Sequence, residues 1–178
     1  PYSGSNSSAC LNCEAGKYNP YSGSNSSDAC FDCSPGESSD IGAVTCSPCS
    51  AGYYNDLAGG KCQACNMGKY NPLIGSNSSS ACLNCEAGKY NTYSGSNASS
   101  LCQVCDAGKY NPYSGSDSSD ACINCWKGFS SHAGATSCFP CPSHSYNAKE
   151  GGTCESCSFG QYSVTGASCV YSLSLIHI

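Results

Sequence analysis

Large aliphatic side chains are scarce. Leu, Ile, Val and Phe together make 20 of the 178 residues, beside one Met and one Trp. That is below the roughly 20% under which chains tend to stay disordered. Burial of apolar area contributes roughly 25 cal/mol per Å², against an ordering cost of about 1–2 kcal/mol per residue. A core alone therefore does not hold this chain, and another constraint must. Arginine is absent, and seven Lys stand against twelve acidic residues for a net charge of −5. Nucleic-acid binders need a basic face to displace counterions and use Arg as their commonest base-reading side chain, so that class is excluded. The same shortage argues against polybasic contact with a membrane surface. No run approaches 18 consecutive apolar residues, so a membrane link would have to come from segments outside this chain. No 3.6-residue apolar period occurs either, which predicts essentially no helix.

Cysteine is abundant, at 19 residues. Nine Cys-x-x-Cys pairs start at Cys10, Cys30, Cys46, Cys62, Cys82, Cys102, Cys122, Cys138 and Cys154, in steps of 20 or 16, and a lone Cys169 follows. "SSDIGAVTCSPC", ending at Cys49, has a counterpart in "SSHAGATSCFPC", ending at Cys141, so block duplication is the expected origin. Periodicity of this kind is read before secondary structure. It divides the chain into a partial repeat 1–9 and tandem repeats 10–29, 30–45, 46–61, 62–81, 82–101, 102–121, 122–137, 138–153 and 154–169. The opening "PYSGSNSSAC" matches the later half of a unit, and "LSLIHI" (173–178) breaks the pattern and resembles a translated sequencing adapter. The chain thus reads as an internal fragment with a non-native tail.

Three residues after the second Cys of a pair stands Gly, from Gly16 to Gly160, with His144 as the exception. Tyr follows two residues later in seven of nine units, with Ser38 and Ser130 in the others, and a second Gly precedes the next Cys. The glycines predict tight turns of positive φ. The tyrosine is the one large side chain available to cover a disulfide while leaving its hydroxyl wet. Segments around Gly-x-Tyr read as very short strands between turns.

Three chemistries fit a Cys-x-x-Cys pair. Zinc is one, since Cys10, Cys13, Cys30 and Cys33 have ribbon spacing. Against an intracellular tandem zinc array, nine pairs do not divide into four-ligand sites, and the basic residues that accompany nucleic-acid-binding ribbons are missing. Redox catalysis needs a helix N-terminus to lower the thiol pKa, which this sequence does not offer. A disulfide ladder accounts for the count best. Joining the second Cys of each pair to the first of the next gives Cys13–Cys30, Cys33–Cys46, Cys49–Cys62, Cys65–Cys82, Cys85–Cys102, Cys105–Cys122, Cys125–Cys138, Cys141–Cys154 and Cys157–Cys169, leaving Cys10 to pair upstream of Pro1. Each loop gains on the order of 3 kcal/mol in the chain-entropy model. A pairing of first with third and second with fourth stays open at this point. Asn-x-Ser sequons at Asn6, Asn25, Asn77 and Asn97 recur at one place in the long unit and point to an oxidising, secretory compartment.

"CEAGKYNPYSGSNSSDAC" and "CSAGYYNDLAGGKC" resemble the ephrin type A/B receptor-like cysteine-rich repeat, with its Cys-x-x-Gly-x-Tyr…Gly…Cys-x-x-Cys pattern. The pattern is also similar to tumour-necrosis-factor-receptor and EGF-like modules of the growth-factor-receptor cysteine-rich class. The resemblance covers Cys10 to Cys169. It implies small disulfide-rich repeats in an elongated ladder of turns and very short β-strands, in a secreted glycoprotein or cell-surface ectodomain. It implies spacing, ligand-binding or adhesion roles without catalysis. The partner it implies is a protein or glycan, with no cofactor. The 20-residue copies also resemble cysteine-rich surface antigens of single-celled eukaryotes.

No catalytic constellation is legible. His132 and His144 lack a triad or ligand context, His177 lies in the excluded tail, and "YSGSN" is a Ser/Gly turn without base or acid. Trp126 beside Cys125 is either a binding hot spot or packing on the disulfide. Lys17, Lys69, Lys89 and Lys109 make a one-sided row in a regular array. In such arrays each unit contacts only its neighbours, so stability is expected to be a nearest-neighbour sum.

Overall fold

The computed structural model describes residues 12–21 and 26–171. Nine disulfides join the second cysteine of one pair to the first of the next, from Cys13–Cys30 to Cys157–Cys169, with Cα–Cα distances of 5.6–5.8 Å. They define repeats 1 to 9. Cys10 lies outside the described residues.

Within a repeat the chain turns immediately after the buried cysteine. In repeat 1 the Lys17 N–H donates to the Glu14 carbonyl at 3.0 Å, closing a four-residue turn with Gly16 third at φ 90°. A β-turn with positive φ at its third position calls for glycine there. The turn launches the strand Lys17–Tyr18, which pairs antiparallel with Phe31–Asp32. Every repeat has one such two-stranded sheet, ending with Gln161–Tyr162 against Val170–Tyr171. From the pair at Cys30 to that at Cys154, the two residues inside the Cys-x-x-Cys are therefore the return strand of the preceding loop. His144 occupies the glycine position at φ 65°, the one positive-φ residue other than glycine among the described residues. A side chain in this region costs roughly 1–2 kcal/mol. His144→Gly is expected to raise the stability of repeat 8 by about 1 kcal/mol, read as slower exchange of the Cys157 amide, which donates to the His144 carbonyl at 2.8 Å.

Long and short repeats differ in one element. The bridges of repeats 1, 4, 5 and 6 close over 17 residues, those of repeats 2, 3, 7 and 8 over 13, and that of repeat 9 over 12. The extra residues form a single 3-10 turn before the closing cysteine: Ser27–Ala29, Ser79–Ala81, Ser99–Leu101 and Ser119–Ala121. There is no α-helix among the described residues.

Among the described residues, contacts gather the chain into two compact units, one of those up to 66 with 70–83 and 94–98, and one of 67–69 with 84–93 and those from 99 onward. Inside each, the same backbone bonds tie a repeat to the next. The turn glycine N–H donates to the carbonyl six residues past the following buried cysteine, as from Gly36 to Asn55 and from Gly88 to Asn111, both at 2.8 Å. The second glycine reaches back, as Gly59 N–H does to the Cys33 carbonyl at 2.9 Å. Contact also extends past the neighbour, which corrects the nearest-neighbour expectation. The turn glycine of one repeat lies against the second glycine two repeats on: Gly16 on Gly59, Gly52 on Gly95 and Gly88 on Gly134. A Cβ at Gly52 would overlap the Gly95 carbonyl oxygen. Backbone from three repeats thus meets at one point, which only glycine permits.

The interior matches the composition. Its buried apolar residues are ten cysteines and Ala135, and no larger aliphatic or aromatic side chain is buried among the described residues.

Candidate functional site

Asparagine and serine fill the rest of the interior. The residue after the tyrosine position is Asn55, Asn71, Asn91 or Asn111 in repeats 3 to 6, each 0–1% exposed. Asn147 and Ser163 are buried there too, as is Ser131. In eight repeats this side chain donates to the same backbone carbonyl of the preceding repeat at 2.6–3.1 Å. Asn111 shows the full set. Its Nδ2 donates to the Lys89 carbonyl at 3.0 Å and the Ser116 hydroxyl at 2.9 Å, and its Oδ1 accepts from the Tyr113 N–H at 3.0 Å. Its backbone N–H donates to Ala135 of the next repeat at 3.0 Å. One residue therefore links three successive repeats.

Removing such a group leaves a buried carbonyl and N–H without partners, at about 1–3 kcal/mol for an unmade bond. Asn111→Ala is expected to cost about 2 kcal/mol on that basis. Asn111→Ser should cost less, because Ser131 makes the equivalent bond to the Lys109 carbonyl at 2.6 Å. Denaturant titration monitored at repeat 6 orders the two; equal cost would contradict the assignment.

The inward amide also determines what faces outward. Its Oδ1 accepts the N–H two residues on, as at Leu57, Leu73, Tyr93 and Tyr113, and holds that residue at the tip of a turn. The tip position carries Tyr21, Ile41, Leu57, Leu73, Tyr93 and Tyr113 in repeats 1 to 6, all 61–71% exposed. Sequence reasoning passed over both positions. The signal was present as the Asn that follows Gly-Lys-Tyr, and its meaning lay in contacts between repeats.

The residues singled out from sequence separate as follows. Cysteines with ribbon spacing are joined in pairs: Cys13 bonds Cys30, and Cys33 bonds Cys46. Among the described residues no three His, Cys, Asp or Glu side chains converge as a metal set. His132 and His144 are exposed. Trp126 is 61% exposed and meets the Phe129 ring edge-on, centroids 6.3 Å apart. The tyrosines two residues after the turn position are half-buried except Tyr162, and Tyr18 faces the Phe31 ring across its sheet. Lys17 pairs with Asp32 at 2.6 Å and Lys89 with Glu86 at 2.8 Å. Asp32 raises the Lys17 pKa, chiefly by hydrogen bonding, and Lys89 lowers that of Glu86 in the same way. Two of the four row lysines are therefore partly neutralised. Asn77 and Asn97 are exposed, while Asn6, Asn25 and His177 lie outside the described residues. An open groove on repeats 1 to 3, lined in part by Asp40, Val44, Tyr53 and Lys61, has both of these charged residues at the surface.

A model of the family described as tyrosine-protein kinase ephrin type A/B receptor-like matches residues 36–82. The match runs from the turn glycine of repeat 2 to the closing cysteine of repeat 4. No curated protein matches the chain. The family is a receptor ectodomain repeat rather than a catalytic unit. The positive-φ turn, two-stranded sheet and bridge recur in all nine units, with His144 in place of the glycine in repeat 8, so the chain is a ladder of disulfide-closed cysteine-rich repeats that is similar over residues 36–82 to the ephrin receptor-like repeat.

Proposed function

We propose that this ladder is an extracellular segment of a surface or secreted protein that holds its turn tips at the surface and displays them to a protein or glycan partner. The observation that carries the reading is the tip position: six consecutive repeats place a large apolar side chain there, above an interior built from cystine and asparagine. Apolar residues that could have been spent on a core of about 25 cal/mol per Å² are instead left in water. Exposed apolar groups of this kind mark interaction surfaces when they recur together. The bridges support an extracellular setting, since disulfides persist in oxidising compartments and are rare in reducing ones.

The test uses beads coated with the chain secreted from animal cells. Retention on a cell-surface or matrix-glycan layer is expected, and the triple variant Ile41→Ser, Leu57→Ser, Leu73→Ser should lose it at least tenfold while keeping its bridges. Equal retention of the two would remove display and leave spacing alone.

A further inference from the structure

Building on the extracellular reading, we propose that the 3-10 turn distinguishing long from short repeats is a carbohydrate-bearing element, with N-linked glycans on Asn77 and Asn97. Asn77-Ser78-Ser79 and Asn97-Ala98-Ser99 are complete sequons, and the short repeats contain none. Both asparagines are exposed, as are the sequon serines Ser79 and Ser99. Each leads directly into a 3-10 turn, Ser79–Ala81 or Ser99–Leu101, none of whose residues is buried. The preceding residues, Ser76 and Ser96, are 8% and 2% exposed, and their carbonyls accept from Asn55 and Asn71 at 3.0 and 2.9 Å. The chain therefore leaves the ladder one residue before the acceptor and rejoins it at the bridged Cys82 or Cys102. Those cross-ladder bonds all precede the insertion. A bulky substituent on this segment displaces none of them.

In the transfer step the side-chain amide nitrogen of Asn77 or Asn97 attacks the anomeric carbon of a lipid-diphosphate-linked oligosaccharide. The N–C bond forms, the anomeric C–O bond to phosphate breaks, and the lipid diphosphate leaves with the electron pair while the amide gives one proton to a base of the transferase. The sequon serine supplies the hydroxyl that the acceptor triplet requires. Repeat 6 has Asp117-Ser118-Ser119 at the same place, before Ser119–Ala121, so a carboxylate stands where the acceptor amide would be.

Peptide mapping of the secreted chain, deglycosylated enzymatically in heavy-oxygen water, reads each occupied asparagine as labelled aspartate. Asn77 and Asn97 are expected to be labelled in most molecules, and Asp117→Asn should add one further glycan. Fully bridged, secreted chain with Asn77 and Asn97 unlabelled overturns this inference and leaves the extracellular reading intact. Chain that retains titratable thiols throughout overturns both.

Discussion

Replacing Cys105 and Cys122 together by Ala is expected to destabilise repeat 6 by about 3 kcal/mol, the chain-entropy value for a loop of this size. The bridge closes over 17 residues, and few apolar contacts stand ready to replace it. Its loss should be local. Amides that bind repeat 6 to its neighbours include those of Gly108, Asn111 and Gly115, which donate to Ser131, Ala135 and Cys85, and that of Cys125, which donates to Gly108. These are expected to lose protection from hydrogen exchange by about a hundredfold, since every 1.4 kcal/mol is tenfold. The amide of Gly36, which donates to Asn55 in the other unit, should keep its protection. Uniform loss along the chain would mean a single cooperative core, contrary to the interior observed.

A second large effect is expected at Gly88. Its φ is 82°, and a Cβ there would overlap the Gly134 carbonyl two repeats away. Gly88→Ala combines the backbone penalty, roughly 1–2 kcal/mol, with overpacking against backbone, typically about 1–3 kcal/mol. The two together come to about 3 kcal/mol. Gly160 supplies the control, because it has the same φ of 82° with nothing within 4 Å of its would-be Cβ. Gly160→Ala should cost the backbone penalty alone, about 1 kcal/mol. Denaturant midpoints measured on both variants separate the terms. Equal losses would show that contact two repeats away contributes nothing.

The pair also shows what was legible beforehand. Gly16, Gly52 and Gly88 announce a positive-φ turn because a local rule, a turn's third residue, connects residue type to conformation. No local rule announces that the same glycines touch Gly59, Gly95 and Gly134, since that contact depends on how far one repeat advances over another. Tyr18 was read as a strand residue, yet its partner Phe31 went unnoticed because it lies inside a Cys-x-x-Cys that invited a chemical reading. Asn71 and Asn111 look like ordinary turn residues in sequence. Their burial follows from donating to a carbonyl 18 or 22 residues upstream, a spacing that alternates with repeat length. The exposed tips at Leu57 and Leu73 were hidden for the complementary reason, as a sparse apolar residue invites a core assignment. The composition did point correctly to a fold without an aliphatic core, and the even pairing of cysteines supplied the substitute.

The central claim is that each repeat is closed by a bridge from the second cysteine of one pair to the first of the next. Proteolytic mapping of the native chain under non-reducing conditions, with a thiol count and metal analysis on the same sample, tests it most directly. The account predicts linked peptides for Cys65–Cys82, Cys85–Cys102 and the seven equivalents, and one titratable thiol, because nine bridges use 18 of the 19 cysteines. Linkage of Cys62 to Cys82, or stoichiometric zinc with every thiol titratable, would contradict it.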